Sequence, residues 1–257
     1  MPHSRLFHFD ERRDIALPGS LTHSIEFAVN HFIHIAVEAT EQEGYFAVAL
    51  SGGSTPKKIF EMLATPKYRN AIEWSKVLLF WSDERAVPPD HPESNYKMAM
   101  DSGLSKLELN EDQIFRMKAE NDIQEHALEY ERIIRKKLNG RPFHLIMLGM
   151  GDDGHTASLF PHTQALNICD RLVVANEVPQ KQCWRMTFTF TTINQAHHTA
   201  IYVMGEDKSE TLANVLMDPT NSFPSARVGT PAHPALLIVD DNASRKLLKT
   251  WDINRRK

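Results

Sequence analysis

The chain of 257 residues reads as an α/β protein built on an open, mostly parallel sheet with helices on both faces. Three observations carry that expectation. Short apolar runs alternate with stretches of helical periodicity along the chain, the order of strand–helix–strand units. The run Leu145-Ile-Met-Leu148 is apolar at every position, as a strand covered on both faces must be. Glycine-bearing turns follow several of these runs, at the carboxyl strand ends where open α/β sheets bind ligands.

Taken in order, Leu6 to Phe9 read as a first short strand. Over 20–42, Ile25, Ala28, Val29, Phe32, Ile33, Ala36 and Val37 recur at the spacing of a helix with one buried face. Residues 45–50 read as a strand, 55–63 as a helix, 77–81 as a strand, and Ser94 onward as a helix. Over 121–138, Ile123, Ala127, Tyr130, Ile134 and Leu138 form the stripe of a longer helix, which Gly140 and Pro142 stop. After the strand at 145–148, residues 156–160 are expected to begin a short helix. Segments 172–175 and 184–190 read as extended, and 200–204 as a strand leading into a helix over 208–216. A last strand at 235–239 precedes a final helix through Leu247 and Leu248. The proline-rich stretch 218–234 reads as one long loop bordering the site. With no Gly/Ser linker, repeat or low-complexity tract, residues 1–257 read as a single domain.

Composition bounds the function. A hydrophobic share of 42% is enough to bury a sizeable core. The formal net charge of −4 gives no general attraction to nucleic acid or to anionic membranes, so an anionic ligand needs a local cluster of basic residues. Cys169 and Cys183 offer neither a disulfide framework nor metal spacing, and both read as buried spectator thiols in a reducing compartment. The amino terminus lacks a signal-peptide core and no apolar run is long enough to span a bilayer, so the cytoplasm is the expected location. Among thirteen histidines, neither His31 with His34 nor His197 with His198 has the spacing of a zinc helix. No metal, cofactor, nucleic-acid partner or membrane partner is expected. The sequence leaves the oligomeric state open, a monomer included.

Four clusters carry chemistry. In the first, the strand ending at Leu148 breaks into Gly149, Gly151 and Gly154, with Asp152, Asp153 and His155 on the turn. This stretch also satisfies the G-x-G-x-x-G dinucleotide fingerprint, with Asp170 beyond it, but two acidic side chains sit where a pyrophosphate would lie. Carboxylates and an imidazole at the carboxyl end of a central strand lie instead where open α/β sheets bind ligands and do chemistry. In the second, Ser51-Gly-Gly-Ser-Thr-Pro56 runs from strand into helix. Gly52 and Gly53 permit tight backbone, Ser54 and Thr55 supply hydroxyls, and free N–H groups at the helix start favour an anion. The same residues also fit a plain helix cap, and Ser51 fits half of a nucleophile elbow. The third, Trp81-Ser-Asp-Glu-Arg85, sets Asp83 and Glu84 beside Arg85, a guanidinium able to grip a phosphate or carboxylate through paired donors or to sit in a surface ion pair. The fourth is looser: Arg185 and Lys208 are further cations, each at an expected strand or turn.

With these clusters in hand, the chain resembles the 6-phosphogluconolactonases, relatives of the glucosamine-6-phosphate deaminases, from about Phe7 to Leu248. The residues that match are Ser51-Gly-Gly-Ser-Thr-Pro56, Trp81-Ser-Asp-Glu-Arg85, Ser94-Asn95 and Leu148 through Pro161, whose His-Thr-Ala-Ser-Leu-Phe-Pro ending is highly specific. Weaker matches are Arg185-Met-Thr, Ile193-Asn-Gln-Ala196, Gly205-Glu-Asp-Lys208 and Pro224-Ser-Ala-Arg227. The resemblance implies an open α/β fold and hydrolysis of a sugar-phosphate δ-lactone in the pentose phosphate pathway, without a cofactor. It implies His155 as general base with Asp153 beside it. It implies Gly52, Gly53, Ser54, Thr55, Asp83 and Arg85 around the substrate, with Arg185 and Lys208 assisting at its phosphate. Trp184 and His162 depart from the family pattern, and both are expected at the rim of the site.

Overall fold

The computed structural model describes residues 5–218 and 222–255, side chains to 251. Strand β1 (Arg5–Asp10) pairs antiparallel with β2 (Arg13–Gly19), which sequence reading passed over. Its apolar stretch is only Ile15-Ala-Leu17, flanked by charges, proline and glycine, and pairing with neighbours on both sides makes it a strand. Then come α1 (Leu21–Glu43), β3 (Phe46–Leu50), α2 (Ser54–Leu63), β4 (Val77–Trp81), β5 (Asp83–Arg85), α3 (Asn95–Asp101), α4 (Ile123–Leu138) and β6 (Leu145–Gly149). The rest is β7 (Val173–Val178), β8 (Cys183–Phe188), α5 (Phe190–Gln195), β9 (His198–Val203), α6 (Ser209–Met217), β10 (Ala235–Asp240) and α7 (Asp241–Arg255).

The main sheet has seven strands in the order β1-β2-β10-β9-β6-β3-β4, parallel except for β1. From β2 the chain crosses to β3 and β4 at one end, then reverses and fills β6, β9 and β10 stepping back. Right-handed crossovers in opposite directions put α1 and α2 on one face and α6 on the other. Helix α7 packs against α6, β10 and β2. Covered on both sides, β3 is buried at every position and β6 at all but its last. No helix among the described residues is long and apolar enough to cross a membrane.

The extended segments read at 172–175 and 184–190 do not join this sheet. They form β7 and β8, and with β5 make a separate antiparallel sheet in the order β5-β8-β7. The second segment stops at Phe188, and Phe190 begins helix α5. Thr191, Thr192 and Ile193 favour strand by propensity. Here the Thr189, Thr191 and Thr192 hydroxyls donate instead to the carbonyls of Arg171, Cys169 and Leu172, and these tertiary bonds override propensity. The helix expected at 156–160 is also absent. Ala157 adopts φ +47 and Leu159 N–H closes a tight turn on the Thr156 carbonyl. Cys169 is exposed and Cys183 only half-buried, because one lies in a surface connection and the other opens β8. Within the stretch 218–234, residues 219–221 lie outside the described part, and Pro224–Arg227 form a turn of 3₁₀ helix.

At the β4 edge, where Phe115 N–H donates to the Leu79 carbonyl at 2.8 Å, Tyr130 of α4 adds a second tie. Its buried hydroxyl accepts from Trp81 N–H at 2.9 Å and donates to the Phe115 carbonyl at 2.8 Å. Burial pushes the phenol above its ordinary pKa. Tyr130→Phe strands both backbone groups, so urea unfolding should show a loss of about 1–3 kcal/mol. An unchanged midpoint would show that the hydroxyl is not holding this edge.

Candidate active site

Strands β3 and β6 are neighbours whose chains leave in opposite directions, one towards β4 and the other towards β9. Their carboxyl ends diverge and open a crevice. A cavity of about 440 Å³ occupies it.

One wall is the turn from β3 into α2. Gly53, at φ +103, caps the helix, and a Cβ there would stand in open space. No side chain among the described residues caps α2, so the first-turn amides remain available to an anion. Ser51 hydroxyl donates weakly to the Gly52 carbonyl at 3.4 Å, and Ser51 is not among the residues with left-handed backbone. That is not the strained geometry of a nucleophile elbow.

The opposite wall is the turn after β6. His155 Nδ1 lies 2.5 Å from Asp153 Oδ1, and the same oxygen accepts from His155 N–H at 3.2 Å. Burial works to raise the Asp153 pKa, but the hydrogen bond and charge of His155 outweigh it and hold the carboxyl below its ordinary value. The Phe160 ring stacks on the imidazole, centroids 4.0 Å apart. A Cβ at Gly151 would fall 2.1 Å from His155 Cε1 and Nδ1, so this approach requires glycine. Gly154, at φ +70, faces Phe223, and its carbonyl accepts from Ser225 N–H at 2.9 Å, which brings these two residues of the connection expected at the site against its glycine turn. Ala157 stays left-handed at a cost of about 1–3 kcal/mol that its surroundings must offset.

The third wall comes from β5 and the start of α3. Asp83 is buried, its carboxylate accepting from Ser158 Oγ at 2.7 Å and from Asn95 Nδ2 at 3.3 Å. Glu84 points away and caps α3, accepting from the N–H groups of Asn95 at 2.8 Å and Tyr96 at 2.9 Å. Burial pushes Glu84 above the ordinary carboxylate range although backbone donors oppose it. Arg85 pairs with neither acid through its side chain. Its Nη1 donates to the Glu93 carbonyl at 2.6 Å, and its buried Nε has no partner. Lys208 closes the cavity from the β9 side, paired with Asp152 and lying 3.6 Å from Asp207.

Of the residues expected at the site, Gly52, Gly53, Ser54, Thr55, Asp83, Arg85, His155 and Lys208 line this one cavity. Asp153 stands behind His155, and Arg185 stands opposite Arg85 in the β5–β8 ladder with its own Nε buried and unpartnered. Neither is part of the lining. Asn95, Met150, Tyr202 and Met204 also line it. Asn95 had a signal in the Ser94-Asn95 match, whereas Tyr202 and Met204 are indistinguishable in sequence from core. Trp184 and His162 are not at the rim. Both line a separate cavity of about 460 Å³ beside β7, because Trp184 points to the opposite face from Arg185.

The model of the family "Glucosamine-6-phosphate isomerases/6-phosphogluconolactonase" matches residues 20–238. The chain belongs to this family. It is 41% identical over 244 residues to the 6-phosphogluconolactonase of Chlamydia trachomatis, covering 94% of this chain and 93% of that one. It is 37% identical over 217 residues to the 6-phosphogluconolactonase of Nostoc, covering 81% and 88%. Among solved structures, 6-phosphogluconolactonase from Trypanosoma cruzi superposes with a TM-score of 0.83 at 28% identity, over 95% of this chain and 99% of that one.

If Gly151 is what admits the imidazole, Gly151→Ala should break the His155–Asp153 pair while the fold persists. In NMR spectra the hydrogen-bonded Nδ1 proton of His155 should disappear. A retained signal would mean that the turn has room to spare.

Proposed function

We propose that the chain hydrolyses 6-phospho-D-glucono-1,5-lactone to 6-phospho-D-gluconate, the lactonase step of the pentose phosphate pathway. The single observation that carries this reading is the imidazole of His155 across one cavity from an uncapped helix start and Arg85. The names of relatives along nearly the whole chain support it.

A δ-lactone is an activated ester, so three tasks remain for the protein. Water must lose a proton, the tetrahedral oxyanion must be stabilised, and the substrate must be held. With Nδ1–H donated to Asp153, the His155 nitrogen that accepts a proton is Nε2. Nε2 takes a proton from water as its oxygen bonds to C1. The oxyanion then collapses, the bond from C1 to the ring oxygen breaks, and the imidazolium returns the proton to that oxygen. Positioned base catalysis of this kind typically contributes ~10²–10⁴-fold. Asp153 fixes the ring and stabilises the imidazolium. Water is the nucleophile in this reading, because the Ser51 hydroxyl is turned to the Gly52 carbonyl and His155 Nδ1 is committed to Asp153.

The phosphate is held by the Gly52, Gly53, Ser54 and Thr55 turn and by Arg85, with Arg185 behind it. Lys208 supplies positive charge on the far wall, where a bound anion competes with the Asp152 and Asp207 carboxylates. Holding the phosphate remotely fixes orientation at the reacting carbon. The cysteines are free thiols, in keeping with a cytoplasmic location.

His155→Ala should lower kcat at least ~10²-fold with KM within a few-fold, since a base acts chiefly in the transition state. Steady-state kinetics on the lactone decide this, and a variant with near-normal kcat would remove His155 from the mechanism. Arg85→Ala should weaken kcat/KM for the phosphorylated lactone by about 1.5–3 kcal/mol and spare the unphosphorylated analogue. Arg85→Lys should recover only part of the loss, because an ammonium lacks the planar fork. Equal losses on both substrates would make Arg85 structural.

A further inference from the structure

Ser158 lies three residues beyond His155 and is almost wholly buried. Each of its polar groups is held by a different strand of the small sheet. Its N–H donates to Thr187 Oγ1 of β8 at 3.1 Å, and its carbonyl accepts from Asn176 Nδ2 of β7 at 2.9 Å. Its hydroxyl donates to Asp83 Oδ2 of β5 at 2.7 Å. Thr187 stands opposite Asp83 in one ladder, and Arg185, two residues earlier, stands opposite Asn176 in the other. The three partners therefore project from one face of the sheet.

This grip sits on the segment that sets the imidazole. Between His155 and Ser158 the backbone passes through left-handed Ala157, and beyond Ser158 comes Phe160, whose ring stacks on His155. A turn of this kind persists only where neighbours over-determine it. On its other side Asp83 reaches the anion-binding turn. Asn95 Nδ2 donates to the Asp83 carbonyl at 2.9 Å and to its Oδ1 at 3.3 Å. Asn95 also presses against Gly52, where a Cβ would lie 1.9 Å from Asn95 Oδ1. A continuous buried path thus joins the base to the anion turn. Asp83 touches the cavity, yet both carboxylate oxygens are already engaged within this path and the residue is only 6% exposed.

We propose that Ser158 and Asp83 are positioning residues that fix His155 relative to the anion-binding turn, with Asp83 acting through this buried link and not by contact with substrate. The inference rests on the lactonase reading, in which His155 is the base.

The test is a double-mutant cycle on lactone hydrolysis. Ser158→Ala removes only the hydroxyl bond and should lower kcat roughly 10- to 100-fold with KM within a few-fold, the signature of a misplaced base. Asp83→Asn should lower kcat similarly. Because both act through one link, the double variant should be no worse than the poorer single. Losses that multiply, or an Asp83→Asn loss carried by KM, would overturn the proposal. Should Ser158→Ala fail to fold, Thr187→Val deletes the acceptor of the Ser158 N–H and is read the same way. Wild-type turnover with an inactive His155→Ala upholds the lactonase reading. Against that background, unchanged kcat in Ser158→Ala, or in Thr187→Val in its place, overturns the positioning role alone. A wild-type protein without turnover overturns both.

Discussion

Everything at the site depends on one constraint of connectivity. The neighbouring parallel strands β3 and β6 send their chains in opposite directions, so the turns that follow them are forced apart. One turn opens a helix and presents free amides, and the other carries the imidazole. Free amides and an imidazole are thereby set facing each other across a gap that backbone geometry creates before any side chain is chosen. The large sheet provides the gap and ties one end of the imidazole turn, where Thr156 Oγ1 donates to the Gly149 carbonyl at 2.8 Å. The small β5-β8-β7 sheet holds the other end, binding Ser158 beyond His155, and sets Arg85 opposite Arg185.

The electrostatics are local in the same way. A chain of net charge −4 holds an anionic substrate only where its cations are gathered. The cations here are not bare. Arg85 leans on the Glu93 carbonyl and Lys208 on Asp152, while the nearby acids are spent on internal work. Asp153 is on His155, Asp83 on Ser158 and Asn95, and Glu84 on the start of α3. The acidic side chains that spoiled a dinucleotide reading of the glycine turn are thus accounted for, Asp152 as partner of Lys208 and Asp153 as partner of the His155 imidazole.

How much of this was legible in sequence follows from where each signal resides. Strands β3, β4 and β6 were readable because burial on both faces writes an unbroken apolar run. The α1 and α4 stripes were readable because each helix buries one face. The site clusters were readable because glycines, acids and an imidazole at strand ends have few structural uses. The misses share a cause: the deciding interactions are long-range. Arg13–Gly19 is a strand because β1 and β10 pair with it, and Phe190–Gln195 is a helix because its threonines bond to residues near 170. Residues 156–160 form a turn because the small sheet holds Ser158. Trp184 and His162 depart from the family pattern and are expected at the rim on that resemblance, but strand alternation carries Trp184 to the other face.

The central claim is that this cleft turns a phosphorylated δ-lactone into its acid. The most direct measurement follows disappearance of 6-phospho-D-glucono-1,5-lactone with purified protein against its spontaneous hydrolysis. The account predicts disappearance far above the spontaneous rate and no ammonia from glucosamine 6-phosphate. A lactone decay indistinguishable from the spontaneous one, with ammonia released from the amino sugar phosphate, would contradict it.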